Sequence, residues 1–249
     1  MKCLILAAGY ATRLYPLTEN FPKPLLKVGE KTILDWLADD IAPAVDGFVV
    51  VTNHKFAEHF RDWARTRGGA QPVVVVDDGT ASDATRLGAV RDIEFAVRET
   101  GIDDDLLVVA GDNVLDFSLQ RFIAYARGKG TSCIMRFREP DAVKLTRCGV
   151  VETAGEEAAD PDLVLRMEEK PAQPRSHWVC PPFYYFTRAD LARLAAGLAA
   201  GCGTDAPGSY IAWLCTQAPV HAMPMPGRRY DIGNLESYRE VQATYRGIV

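Results

Sequence analysis

Cations and an acid fall after apolar runs in this chain, Arg13 and Lys23 after the first and Asp112 after a later one, and Asp231 stands before a helical pattern near the close. Arginine and lysine offer fixed positive charge to phosphate oxygens. A carboxylate at a strand end suits a hard divalent cation that is shared with phosphates. Cys3-Leu4-Ile5-Leu6-Ala7-Ala8 is wholly apolar, as a strand covered on both faces would be, and Gly9 lets a backbone N–H turn toward a ligand. Prolines 16, 22 and 24 stiffen the loop that carries Lys23. The arrangement suits a nucleoside triphosphate.

Three further stations share this character. Gly111-Asp112-Asn113 follows the apolar run Leu107–Ala110, although Asp and Asn are also ordinary turn residues. Glu168-Glu169-Lys170-Pro171 follows another strand-like run, and by itself reads by default as a solvated charge run ended by proline, with Glu168 its solvated member. Tyr230-Asp231-Ile232-Gly233-Asn234 precedes a helix, and alone could be a turn and a cap.

These stations need a scaffold that collects strand ends. Phe48–Val51, Val73–Val76 and Leu106–Ala110 alternate with helical patterns at about 32–42, 55–66, 85–98 and 118–127, which implies βα units and a mostly parallel sheet. Thr32 and Asp35 form a candidate capping box. After Gly130 the texture changes to short runs (Thr131–Phe137, Gly149–Glu152, Leu163–Met167, Trp178–Phe186). Helices return at about 188–200, where Thr187 and Asp190 offer a second capping box, at 208–217, and at 235–246 behind Asn234 as N-cap. Ala154–Pro161 reads as a solvated hairpin tip. We expect an α/β fold, Rossmann-like and doubly wound, with a mixed, mostly parallel sheet and an inserted acceptor-binding lobe. One domain spans 1–249, its nucleotide half in 1–130 and its acceptor half in 131–249. In open parallel sheets ligands sit outside the carboxyl ends of the strands, which is where Gly9, Asp77-Asp78-Gly79-Thr80 and Gly111-Asp112-Asn113 fall.

The block LAAGYATRLYPLT…FPKPLL, with GDN, EKP and the late D-x-G, resembles the signature of the sugar-1-phosphate nucleotidyltransferases, from Met1 to about Tyr245. The resemblance implies that an NTP and a sugar 1-phosphate give an NDP-sugar and pyrophosphate with Mg²⁺, with dTTP or UTP and glucose 1-phosphate the first choice of substrates. It makes Arg13 and Lys23 catalytic. The nucleotide falls to Leu6, Ala7, Ala8, Gly9, Thr12, Arg13, Gly79 and Thr80, the acceptor to Gly149, Glu169 and Lys170, and the metal to Asp112 and Asp231. Two positions depart from the pattern. Ala11 replaces the second glycine of Gly-x-Gly-Thr-Arg and is strained if its φ must be positive. Cys148 replaces an aromatic residue before Gly149-Val150, and the glutamine segment of many thymidylyltransferases is missing, so neither sugar nor base is fixed. No residues remain for the β-helix domain that some relatives append.

Composition narrows the classes. A length of 249 residues with 48% hydrophobic residues supports a substantial core. The net charge of −5, with Lys and Arg scattered singly, argues against a nucleic-acid or membrane surface. The six cysteines lack C-x-x-C spacing and a secretory leader, so they read as reduced thiols in the cytoplasm. The four histidines show no zinc spacing, and His54 and His59 read as helix-surface residues. No serine-hydrolase, Walker A or dinucleotide fingerprint appears. Two rivals stay open: a cytidylyltransferase for phosphocholine, with Trp178, Tyr184 and Tyr185 available to a choline cation, and a nucleotide-sensing subunit without turnover. Oligomeric state is not fixed, and a homo-oligomer stays open.

Overall fold

The structure, a computed structural model, describes residues 1–248. Its strands are β1 (Lys2–Leu6), β2 (Lys27–Val28), β3 (Lys31–Thr32), β4 (Phe48–Thr52), β5 (Val73–Asp77), β6 (Leu106–Ala110), β7 (Val114–Leu115), β8 (Ser132–Arg138), β9 (Gly149–Thr153), β10 (Val164–Glu169), β11 (Trp178–Cys180), β12 (Phe183–Phe186), β13 (Val220–Pro224) and β14 (Arg229–Tyr230). Its helices are α1 (Ile33–Ile41), α2 (Ala57–Thr66), α3 (Ala89–Thr100), α4 (Gln120–Lys129), α5 (Ala142–Leu145), α6 (Arg188–Leu191), α7 (Leu194–Ala199), α8 (Gly208–Leu214) and α9 (Leu235–Thr244). Among the described residues ten strands make one mixed sheet in the order β10-β9-β11-β8-β12-β6-β1-β4-β5, with β13 beside β8. The α/β class and the Rossmann-like arrangement agree with the sequence.

The chain forms two compact units whose bounds differ from the 1–130 and 131–249 halves: Met1–Leu87, Val109–Arg121 and Pro226–Val249 make the first, Gly88–Val108 and Phe122–Met225 the second. In the first unit β1, β4 and β5 run parallel, Cys3 facing Phe48 and Phe48 facing Val73. Cys3–Ile5 of β1 and Phe48–Val51 of β4 are buried, as their apolar runs require. α1 begins at a complete capping box, Thr32 accepting from the Asp35 amide at 3.0 Å and Asp35 accepting from the Thr32 amide at 3.2 Å. α9 begins on Asn234 as expected, its box completed by Ser237. Its Tyr238 and Val241, with Tyr245 just past its end, pack with Leu14, Leu26, Val28 and Ile33 into a core that anchors the segments flanking Arg13 and Lys23.

In the second unit β9 and β10 form an antiparallel hairpin, and β11 and β12 pair antiparallel with β8. β13 joins β8 in parallel, from Val220 opposite Ser132 to Pro224 opposite Arg136. That strand is invisible in the sequence, since His221 and Pro224 dilute a run whose strand character comes from its partner. The Trp178–Phe186 run breaks into two strands at Pro181-Pro182, and the helix expected over 188–200 is two short ones, α6 and α7. Thr187 caps α6, but the box is not reciprocal: the Thr187 amide donates to Ser132 Oγ at 3.1 Å, and Asp190 accepts from Ser132 Oγ at 2.7 Å. The Ala154–Pro161 tip is tied down, with Asp160 bound to Lys129 Nζ and His221 Nε2 at 2.7 Å each.

α3 starts four residues later than the periodicity suggests, because Gly88 ahead of it has φ 91° and cannot be helical. No side chain caps α3. Its first two amides donate instead to the carbonyls of Asp205 (3.2 Å) and Thr204 (3.0 Å), and a Cβ on Gly88 would lie 2.5 Å from the Thr204 oxygen. The 204–205 segment thus takes over two of the orphan N–H groups of the helix.

Candidate active site

In the first unit the ends of β1 and β6 meet at Gly111. Its amide donates to the Leu6 carbonyl at 2.9 Å, and a Cβ there would stand 2.9 Å from Ile5 Cγ2 and 3.5 Å from Pro24 Cγ. That close approach sets Asp112 against the proline-framed turn Lys23–Leu25, where Lys23 Nζ lies 2.8 Å from Asp112 Oδ2. The Lys23 side chain is only 9% exposed, whereas Asp112 is 44% exposed. Burial pushes the Asp112 carboxyl upward, but the Lys23 ammonium and, beyond it, Arg229 outweigh this and hold it below the usual carboxylate range. Asp112 Oδ1 accepts from Asn113 Nδ2 at 2.9 Å.

Asp231 reaches the same corner through β14, which pairs antiparallel with β7 so that Tyr230 faces Val114. The register carries Asp231 alongside Asn113, the neighbour of Asp112. Arg229 Nη1 donates to Asn113 Oδ1 at 2.9 Å and lies 3.8 Å from Asp231 Oδ1, and the Asp231 side chain is 72% exposed. Sequence reasoning missed Arg229, although it borders the Tyr230–Asn234 station. No group of three or more His, Cys, Asp or Glu side chains suited to a metal occurs among the described residues. Two carboxylates are a donor set that fits Mg²⁺, which takes one or two from a protein and fills its octahedron with phosphate oxygens and water.

The Gly9 loop is held from below by side chains that no motif announced. Buried Asn53 donates from Nδ2 to the Ala8 carbonyl at 2.9 Å and accepts from the Phe56 amide at 3.1 Å, while Thr52 Oγ1 donates to the Ala7 carbonyl at 3.2 Å. A Cβ on Gly9 would meet nothing within 4 Å, so its glycine leaves open space in front of the loop. Ala11 does adopt the left-handed conformation, φ 47° and ψ 42°, at a cost of about 1 kcal/mol. Buried Thr18 answers it, donating from Oγ1 to the Ala11 carbonyl at 2.8 Å. Thr12 and Arg13 follow in one turn of 3₁₀ helix, both exposed, and Arg13 makes no ion pair with a described residue.

Gly79 has φ 76°, a torsion that favours glycine, and its amide donates to Asp77 Oδ1 at 2.9 Å. The amide and hydroxyl of Thr80 both donate to Asp78 Oδ1 at 2.7 Å, so its donors are used within the turn. The Thr80 carbonyl accepts from the His54 amide at 2.9 Å and Tyr10 Oη at 3.3 Å. His54 lies in the turn before α2, not on a helix, with Nδ1 2.7 Å from Asp77 Oδ2. His59 is on α2 as expected, half-buried against Phe21 and Phe56.

The second unit gathers the acceptor candidates at the end of the β9–β10 hairpin, where Gly149 faces Glu169 in register. Burial raises the Glu169 pKa, Lys170 lowers it and Asp205 raises it, the net being upward. No described residue donates a hydrogen bond to this carboxylate. Glu168 is not simply solvated, for it pairs with Arg166. Lys170 has φ 50°, donates its amide to the Cys148 carbonyl at 3.0 Å, and extends Nζ to Asp205 Oδ2 at 3.1 Å. A cleft of about 720 Å³ lies beside Glu169, lined by Met167, Gln173, Arg175 and Ala212 among others.

The aromatic residues offered for a choline cation do not form a cage. The Arg136 guanidinium already lies over the Trp178 ring at 5.0 Å, Tyr185 Oη donates to Asp105 at 2.5 Å, and Tyr184 is buried beside Phe186. All six cysteines are free thiols, and no helix among the described residues is long and apolar enough to cross a membrane.

A glucose-1-phosphate adenylyltransferase of Fervidobacterium nodosum is 25% identical over 252 residues, covering 95% of this chain and 59% of its own. A UTP-glucose-1-phosphate uridylyltransferase of Haloferax volcanii is 29% identical over 193 residues, covering 76% and 73%. The chain spans 40%, 50% and 59% of the length of three curated relatives that it matches. Among solved structures, UDP-glucose pyrophosphorylase complexed with UDP-glucose superposes with a TM-score of 0.82 at 19% identity, covering 98% of this chain and 97% of that one, which shows the fold. A family model described as nucleotidyl transferase matches residues 2–247, and the chain belongs to that family.

Proposed function

We propose that this protein transfers a nucleotidyl group from an NTP to a sugar 1-phosphate and releases pyrophosphate, with UTP or dTTP and glucose 1-phosphate as substrates. The observation that carries the reading is the contact of Lys23 Nζ with Asp112 at 2.8 Å, which joins the cation of the first signature to the acid of the GDN station. The names of the Haloferax relative and of the UDP-glucose pyrophosphorylase neighbour favour a uridylyl donor. The six free thiols support a reducing, cytoplasmic setting.

In this mechanism an acceptor phosphate oxygen forms a bond to the α-phosphorus of the NTP, and the bond from that phosphorus to the pyrophosphate oxygen breaks. No general base is needed, since the attacking oxygen is already an anion at neutral pH. Catalysis then rests on position and charge. Lys23, fixed by Pro22 and Pro24, neutralises charge across the bridging oxygens. Arg13, exposed and without an ion pair to a described residue, is available to the departing pyrophosphate. Lys170 aligns the acceptor phosphate, and Glu169 accepts hydrogen bonds from sugar hydroxyls. Asp112 and Asp231 would hold Mg²⁺, which when bound supplies positive charge to the triphosphate.

A pyrophosphate-release screen of ATP, CTP, GTP, UTP and dTTP against glucose 1-phosphate, other sugar 1-phosphates and phosphocholine tests the reading. Release with at least one sugar 1-phosphate, dependent on Mg²⁺, is expected. Nucleotide binding without release across the panel would overturn it in favour of a sensor.

A further inference from the structure

Glu169 sits in a slot made by what two residues lack. A Cβ on Gly208, the first residue of α8, would stand 2.4 Å from Glu169 Oε2 and 2.7 Å from Met167 Cε. A Cβ on Gly149, the first residue of β9, would stand 2.9 Å and 2.5 Å from the same two atoms. Both distances to Oε2 lie below any real Cβ contact, so a side chain at either place must displace the carboxylate or the methionine.

Conformational freedom does not explain these glycines. Neither has φ in the left-handed region, and one belongs to a helix and the other to a strand, where glycine weakens the element. Close approach does explain them, because both empty Cβ positions point at one oxygen. The atoms to be displaced are the free ends of flexible side chains rather than backbone. A methyl group there would therefore move Glu169 more readily than it would unfold the unit.

The carboxylate so placed receives no hydrogen bond from a described residue, and burial disfavours its charge. It is short of donors, and a polyol supplies O–H donors that a quaternary ammonium lacks.

We propose that Gly208, with Gly149 opposite, is a positioning residue for acceptor selection: it acts through Glu169, holding Oε2 where the carboxylate meets the hydroxyls of one sugar configuration. The proposal rests on the sugar 1-phosphate reading above. It assigns discrimination between sugar epimers to two absent side chains as well as to one present one.

Steady-state kinetics of Gly208→Ala, Gly149→Ala, Glu169→Asp and the double variant Gly208→Ala/Glu169→Asp decide it, with glucose, galactose and mannose 1-phosphates as probes. Gly208→Ala should raise acceptor KM about tenfold, leave NTP KM within about twofold, and narrow the kcat/KM ratio between epimers. Shortening Glu169 by one methylene should restore room, so the double variant should recover part of the discrimination that Gly208→Ala loses. An unchanged acceptor KM and epimer ratio in Gly208→Ala would overturn the proposal. So would an equal loss toward NTP and acceptor, or a variant that stays unfolded with and without Glu169→Asp, since either marks a merely structural glycine. A Gly208→Ala variant that folds only when Glu169 is shortened would support it. Wild-type protein inert toward every sugar 1-phosphate would instead remove the reading beneath it.

Discussion

Each unit presents a lysine bound to an aspartate, and the two pairs differ in their surroundings more than in their length. Lys23 reaches Asp112 at 2.8 Å from a nearly buried stem, and Lys170 reaches Asp205 at 3.1 Å with both side chains half-exposed, 49% and 57%. Prolines and a 3₁₀ turn fix the Lys23 backbone, whereas Lys170 sits alone in a left-handed torsion, φ 50°. An exposed pair contributes about 0.2–1 kcal/mol, so Lys170 is easily released to a ligand. Lys23 is prepositioned and has little freedom to lose when charge develops beside it. The first pair is rigid and shielded, the second open to solvent.

That contrast breaks most readily at Lys23. Lys23→Ala should lower kcat by about 10²-fold or more, as for loss of one preorganised charge-stabilising donor, while NTP KM changes little. An intact kcat in steady-state assays would show that Lys23 serves only to neutralise Asp112. Next come the acids of the same corner. Asp112→Asn and Asp231→Asn should each raise the Mg²⁺ concentration for half-maximal turnover by about tenfold or more, and the double variant should cost much less than the sum of the singles. Additive losses in Mg²⁺ titrations would mean that the two acids do not share an ion.

Lys170→Ala should act through acceptor KM, raising it about tenfold, and should shift unfolding free energy by less than about 0.5 kcal/mol. Lys170→Gly should match it in KM yet be more stable than Lys170→Ala by about 1 kcal/mol, because glycine carries no penalty at positive φ. Urea unfolding of the two variants separates side-chain loss from backbone relief. The smallest effect concerns pH. The Glu169 pKa lies above the usual carboxylate range, so on acidification Glu169 takes up its proton ahead of an ordinary glutamate, and acceptor KM should climb while NTP KM holds. Glu169→Gln should flatten that climb. The folded state also holds this proton more tightly than the unfolded chain does, so ionisation draws stability down as pH rises through the folded pKa. Glu169→Gln should therefore raise Tm slightly at pH 8, and thermal melts at pH 8 and pH 5 check the sign.

What could be read in advance follows from where the determining forces act. The runs that became β1, β4, β5 and β6 are short and almost wholly apolar, so pattern alone revealed them, and with them the strand ends that carry Gly9, Gly79 and Asp112. The Thr32 box and the Asn234 cap are local and could be read from spacing. β13 could not, since its pairing with β8 is decided by residues 88 positions away, Val220 against Ser132. The break between α6 and α7 leaves no mark either, as no proline or glycine separates Leu191 from Leu194. Within the site, Lys23 and Asp112 were legible as motif residues, but their contact required Gly111 to abut Pro24. Asn53, Thr18 and Arg229 support the site through hydrogen bonds that have no sequence period, and Gly208 is defined by the space it leaves.

The two amides at the start of α3 also bear on how the second unit could be watched over time. Ala89 and Val90 give their protons to the carbonyls of Asp205 and Thr204, and the Asp205 side chain takes Lys170. Any opening that carries residues 204–205 away from α3 bares both amides to solvent at once, so their deuterium uptake becomes a clock for that opening. The clock needs no turnover, runs in the free protein, and would slow in step if an acceptor pins the segment down.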